Sequence, residues 1–118
     1  MNQLDRLKEL ASKAQKVFPV EVMGETFYIR VISGADRDTF EASLLTKKGK
    51  KEVVSLVDVR GKLLAYCLSD AEGNQVCQFE KQATEISSLP ISILEPLFEV
   101  AKEVNKIGKE DIDELKND

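Results

Sequence analysis

Between Val53 and Leu68 the chain is apolar almost all round. Val53, Leu56, Val57, Val59, Leu63, Leu64 and Leu68 occupy most of a helical wheel, so other elements must enclose this segment whatever conformation it takes. A chain of 118 residues is one domain's worth and can bury roughly two-thirds of its unfolded surface. The segment is therefore expected at the centre of a single core. Its length favours a buried helix. The alternative is a strand beginning near Leu63 that turns through Asp70–Asn74 and returns along Gln75–Phe79.

The surrounding stretches read as amphipathic. Over residues 2–17, Leu4, Leu7, Leu10, Ala11, Ala14 and Val17 share one arc at about 100° per residue, opposite Asp5, Lys8, Glu9, Ser12 and Lys16, which predicts a helix closed by Phe18-Pro19. Val20–Met23 and Thr26–Ile32 are rich in β-branched and aromatic residues around Gly24-Glu25, a hairpin pattern. Ser33 and Asp36 have capping-box spacing for a short helix to about Leu45, with Phe40 and Leu44 as its buried residues. Residues 46–52, TKKGKKE, read as a mobile loop. A last helix is expected from Ser92, capped with Glu95 and stopped at Gly108. Together these give one α+β domain over residues 1–109, a small antiparallel sheet (the hairpin near 20–32) packed by several helices. A polar acidic segment, 110–118, follows it.

Several function classes lack their parts. The chain has no histidine, so Ser-His-Asp and Cys-His arrangements are impossible, and the commonest metal ligand is missing. No glycine-rich phosphate loop is present. Candidate acid pairs such as Glu85 with Glu95, or Asp36 with Asp38, read as solvated carboxylates. No enzyme activity, cofactor or metal is expected. Net charge is −4, and no aromatic residue interleaves with the lysines of KKGKK, so a nucleic-acid partner is not expected. No run approaches the roughly twenty apolar residues of a membrane helix, and MNQLDRLKEL has no continuous apolar stretch of the secretory kind. A cytoplasmic protein is expected, with Cys67 and Cys77 reduced and packed.

The last helix carries more apolar face than one core needs. Leu94, Leu97, Phe98, Ala101 and Val104 form the centre of the face, and Ile93, Val100 and Ile107 flank it at seven-residue spacing. The flank is either buried between two elements or an exposed strip for a partner helix. Leu4, Leu7 and Ala11, with Ala14, follow a 3-4-3 spacing that suits either the domain's own core or a neighbouring subunit.

The second half orders these features distinctively. Residues 58–79, DVRGKLLAYCLSDAEGNQVCQF, run from an apolar segment through a turn to a short apolar return. Residues 89–118, LPISILEPLFEVAKEVNKIGKEDIDELKND, give an amphipathic helix, a glycine and a charged end. This order resembles the tail assembly chaperones of long-tailed, siphovirus-type bacteriophages. The likeness lies in Val59–Leu68, in the turn Asp70-Ala71-Glu72-Gly73, and in Leu89-Pro90, Leu94, Leu97-Phe98, Ala101, Asn105 and Asp111–Asn117. The chain departs from the family at Ala71, where an acid is expected, and at Cys77, where an aromatic is expected.

The resemblance implies a non-catalytic protein of the host cytoplasm, absent from the mature virion. It would associate with itself, coat the tape measure protein and give way as the major tail (tube) protein polymerises. It also implies two translated lengths, the longer made by ribosomal frameshifting near Lys116-Asn117. Ile93, Val100 and Ile107 are then the first candidates for partner contact, and Leu4, Leu7 and Ala11 the second. The alternative reading is a bacterial adaptor or antitoxin-like interaction module.

Overall fold

In the computed structural model, which describes residues 2–108 apart from the side chain of Glu80, the apolar segment divides between a strand and a helix. The element order is α1 (Gln3–Lys13), β1 (Val17–Val22), β2 (Glu25–Arg30), α2 (Gly34–Ser43), β3 (Leu45–Lys48), β4 (Lys51–Val54), α3 (Val59–Cys67), β5 (Leu68–Ser69), α4 (Phe79–Ser87) and α5 (Ile91–Val104). Helix α3 is the enclosed element: Gly61 and every residue from Leu63 to Cys67 are buried. It packs against α2, α4 and α5, and α5 in turn lies on β1 and β2. Leu63, Leu64, Ile29, Leu44, Phe40, Leu97 and Phe98 all enter this one core. The expected α+β domain is what forms.

The main sheet has the order β1-β2-β5, antiparallel throughout. Val22 pairs with Glu25, so the hairpin turn is Met23-Gly24 rather than Gly24-Glu25. Both turn residues have positive φ, 52° and 82°, the backbone of a type I′ turn matched to strand twist. Pro19 lies in β1, an outer strand of this sheet. Lacking an N–H, proline is tolerated at such an edge and blocks further strand addition there.

Three other expectations are revised. The first helix stops at Lys13, because Val17 and Phe18 join the sheet opposite Arg30 and Ile29; strand pairing overrides a continuing helical pattern. Residues 45–54 are not a loop but a second two-stranded hairpin, turned at Gly49 with φ 65°. Residues 75–78 return only as an isolated bridge between Ser69 and Gln75, and Phe79 opens the unexpected helix α4. In the turn between, Asp70 accepts from the Asn74 backbone and side chain and from the Glu72 N–H. Those bonds, the Asn74 backbone bond foremost, hold its carboxyl below the usual range.

Helix α5 begins and ends differently from its sequence signals. Pro90 is its N-cap, and the Pro90 carbonyl accepts from Ile93 and Leu94, so Ser92 already lies inside the first turn and caps nothing. At the other end Lys106, with φ 54°, takes the left-handed position expected of a glycine. Its N–H donates to Glu103, and the Ile107 N–H donates to Lys102 at 2.8 Å. That pair of bonds is a Schellman closure, which turns Ile107 back onto the domain. Gly108 stands beyond it, and residues 110–118 lie outside the described residues.

Two polar contacts lock the packing. Asn105, buried at the end of α5, accepts from the Ile32 N–H at 2.8 Å and donates to the carbonyls of Ala101 and Arg30. At the far end of α3, the N-cap Asp58 makes no side-chain cap bond. The Ser87 hydroxyl of α4 instead accepts from the Gly61 N–H at 2.9 Å, satisfying one of the donors a helix start leaves open. A β-carbon on Gly61 would collide with the Ala83 carbonyl and that hydroxyl.

Gly61→Ala should therefore cost about 3 kcal/mol, since backbone must move to admit the methyl. Asn105→Ala, which strands the Ile32 N–H, should cost about 2–3 kcal/mol. Urea denaturation of each variant against the parent protein measures both.

Candidate functional site: an exposed leucine face

Helix α1 is well made locally. The Asn2 side chain accepts from the Asp5 N–H at 2.8 Å, an N-cap worth about 1 kcal/mol, and Glu9 pairs with Lys13 one turn on. Yet none of its residues is buried. Leu4, Leu7 and Leu10 are 58%, 62% and 65% exposed, and Ala11 beside them is also open. A stripe of this kind normally faces a core. Here it faces solvent, and a cleft of about 510 Å³ separates Ala11 and Ala14 from Arg30, Val31 and Ile32 of the sheet side.

The other candidate strip is largely closed. Ile107 is only 7% exposed and belongs to the core, and Ile93 and Val100 are half-buried against it. The wide apolar arc of α5 thus reflects a helix lodged between the sheet and α3, the simpler of the two sequence readings. Of the two candidate surfaces, the face Leu4–Leu7–Ala11, joined by Leu10, is the more exposed.

Four further exposed apolar residues have no counterpart in the sequence reading. Leu56 and Val57 precede α3, Leu89 lies between α4 and α5, Ile91 opens α5, and all four are exposed. The two loops are tied by Ser87, whose hydroxyl also reaches the Asp58 carbonyl. Leu56 and Val57 fall within residues 53–68, which read as one buried run, and Leu89 and Ile91 precede the helix start that the Ser92–Glu95 spacing predicts. The dipeptide Leu89-Pro90 was the available signal, since a proline there sets the helix start.

Two of the candidate acids, Asp36 and Glu95, are engaged in structural pairs. Asp36 meets Arg30 at 3.4 Å, and Glu95 meets Arg60 at 3.1 Å. Arg60 and Lys102 also sit over the Phe98 ring, 5.1 and 4.8 Å from its centre, covering the outer side of α5 with cation–π contacts. Among the described residues no group of three His, Cys, Asp or Glu side chains gathers to hold a metal, and no helix is long and apolar enough to cross a membrane.

Both cysteines are free thiols, Cys67 buried and Cys77 half-buried. Burial pushes the Cys67 thiol up to about 12, against the opposing pull of the Arg30 charge and the Asn105 hydrogen bond. Cys77 is raised too, by burial and then by Glu85. It lines a shallow cleft with Val76 and the stacked rings of Tyr66 and Phe79, whose centres are 4.9 Å apart.

Compared with protein-family models, with curated proteins and with solved structures, the chain matches none.

Because the folded Cys67 binds its proton more tightly than the unfolded chain does, its contribution to stability is complete below pH about 9. It is lost as pH rises toward about 12, at a slope near 1.4 kcal/mol per pH unit. Cys67→Ala should be less stable at neutral pH but should lose that part of the slope. Denaturant midpoints at several pH values from 8 upward provide the comparison.

Proposed function

We propose that this protein is a bacteriophage tail assembly chaperone. It binds and coats the tape measure protein during tail morphogenesis and is displaced by the polymerising tail tube protein. The observation that carries the reading is α1: a capped, amphipathic helix whose leucine face covers nothing of its own domain. Such a face is suited to the apolar side of another helix, by helix-in-groove or helix-to-helix recognition. The order of elements in the second half, on which the family resemblance rests, supports the same reading. The exposed residues Leu56, Val57, Leu89 and Ile91 supply further contacts, which a protein coating a long client and its own neighbours would use. The work takes place in the host cytoplasm, with no cofactor and no catalysis, and the finished virion does not retain the protein.

The test exploits the independence of α1 from the core. Leu4→Ser, Leu7→Ser and Leu10→Ser in one protein should shift stability by no more than about 0.5 kcal/mol, as exposed substitutions do. Co-expressed with the tape measure protein encoded beside its gene, the parent should keep that client soluble and co-purify with it. The triple variant should do neither while remaining folded. A folded variant that still solubilises the client would refute the assignment of α1. A parent protein that never binds the client would refute the chaperone reading itself.

A further inference from the structure

The second hairpin is open along β3. Residues 46–52 are all exposed, and among the described residues their sheet has two strands only. Two strands alone are marginal in water, and a third is what normally secures them. The register decides which groups face outward. Ser55 donates to the Leu44 carbonyl at 2.7 Å, and bonded and unbonded pairs alternate along an antiparallel ladder. The bonded pairs are therefore Thr46–Val53 and Lys48–Lys51. The N–H and C=O groups of Leu45 and Lys47 point away from β4, to the side where a further strand would lie.

Charge is distributed unequally over the two faces of the hairpin. Successive side chains of a strand alternate between faces, and opposed residues share one. Lys47 stands opposite Glu52 on one face, a compensated pair. On the other, Lys48 stands opposite Lys51, with Lys50 in the adjoining turn. Like charges in facing positions destabilise a strand pair, and opposite charges stabilise one. Four lysines against one glutamate give residues 46–52 a net +3 in a chain of net −4. Lysines on an open edge repel a second copy of the same edge, but they attract an acidic strand. Nucleic acid fits less well. No aromatic residue lies between Leu45 and Val54 to stack a base, whereas the outward groups of β3 match a peptide backbone.

We propose that β3 accepts an extended acidic segment of a protein partner as a third, outer strand. The partner's backbone pairs with the open groups of Leu45 and Lys47. Its acidic side chains, at every second position, lie beside Lys48 on the face where Lys48 and Lys51 oppose each other. Recognition of this kind draws affinity from main-chain bonds and selectivity from alternate side chains. This inference does not rest on the tail-chaperone reading and stands or falls separately from it. The charged contacts are exposed, so binding weakens as the Debye length falls from about 10 Å near 0.1 M salt to about 3 Å near 1 M.

The test uses the full-length protein and two synthetic octapeptides. (Glu-Thr)4 places every acid on one face of a strand, while (Glu-Glu-Thr-Thr)2 has the same composition and charge but divides its acids between the faces. In low salt (Glu-Thr)4 should bind at least threefold more tightly than (Glu-Glu-Thr-Thr)2. It should slow hydrogen exchange at the Leu45 and Lys47 amides at least tenfold and leave the amide shifts of α3 and α5 unchanged. A thymidine octamer, used as a plain polyanion, should give no such protection. Lys48→Thr with Lys51→Thr replaces the repulsion by a Thr–Thr pair that strands favour, so the hairpin persists, and affinity for (Glu-Thr)4 should fall at least tenfold. Equal binding of the two peptides, or unprotected Leu45 and Lys47 amides, would overturn the proposal. So would a thymidine octamer that binds as tightly as (Glu-Thr)4, which would assign the edge to nucleic acid, or a double variant that binds the peptide as well as the parent does.

Discussion

One buried amide organises the junction on which the domain depends. Asn105 lies where α5 ends, where β2 runs out toward α2, and where α3 meets the sheet. Its oxygen takes the Ile32 N–H, while its nitrogen serves the Arg30 carbonyl, the Ala101 carbonyl of its own helix and the Cys67 sulfur. Arg37 then closes the same helix end from outside by donating to the Asn105 and Lys106 carbonyls. The last carbonyls of a helix have no intrahelical partners, and a buried helix end needs them supplied. Because the Asn105 side chain ties the helix end to Arg30 and Ile32, and Arg37 of α2 donates to its last carbonyls, α5 has one position on the sheet. The Schellman turn that follows brings Ile107 into the core as the apolar counterpart of the same closure.

A related economy joins α3 and α4. An αL residue at Asp58 starts α3 without a side-chain cap, and Ser87 from the neighbouring helix does the capping. This requires the two backbones to approach closely, which only a glycine at position 61 permits. The enclosed helix is therefore held at its start by a hydroxyl and at its end by an amide. Its apolar surface fills the space between.

The fold class was legible because it rests on long patterns: the enclosed stretch around Leu63–Leu68, the alternation through Val20, Val22 and Ile29, and the Ser33–Asp36 cap, which the structure reproduces at 3.1 Å. What was not legible depended on partners distant in sequence. Nothing local at Lys47–Lys51 announces a hairpin, because four lysines around a glycine read as a solvated loop until Leu45 and Val54 are seen to pair. Helix α5 appeared to be capped by Ser92 and stopped by Gly108, both sound local signals, yet Pro90 and Lys106 take those roles because packing decides where the helix begins and where Ile107 points. The candidate surfaces followed the same rule. Periodicity identified apolar faces on both α1 and α5 but could not say which one the rest of the chain would cover.

The energetics of the open face constrain any role built on it. Burying Leu4, Leu7 and Leu10 gives on the order of 1.5–3 kcal/mol each, while association costs an estimated 4–15 kcal/mol in lost rigid-body freedom before side chains are ordered. A single pair of such helices therefore gains almost nothing. Burial of a few hundred Å² per strip also falls below the 1,200–2,000 Å² of a stable interface. The face becomes useful only when contacts are linked, so that each binding event raises the effective concentration for the next. A long client offering repeated apolar segments meets that condition, and so do neighbouring copies aligned along it. On the proposed role, weakness per contact is what allows a cooperative coat to be removed one copy at a time. A domain that kept the leucines for its own core would be more stable and, on the same proposal, would have no face left with which to form a coat.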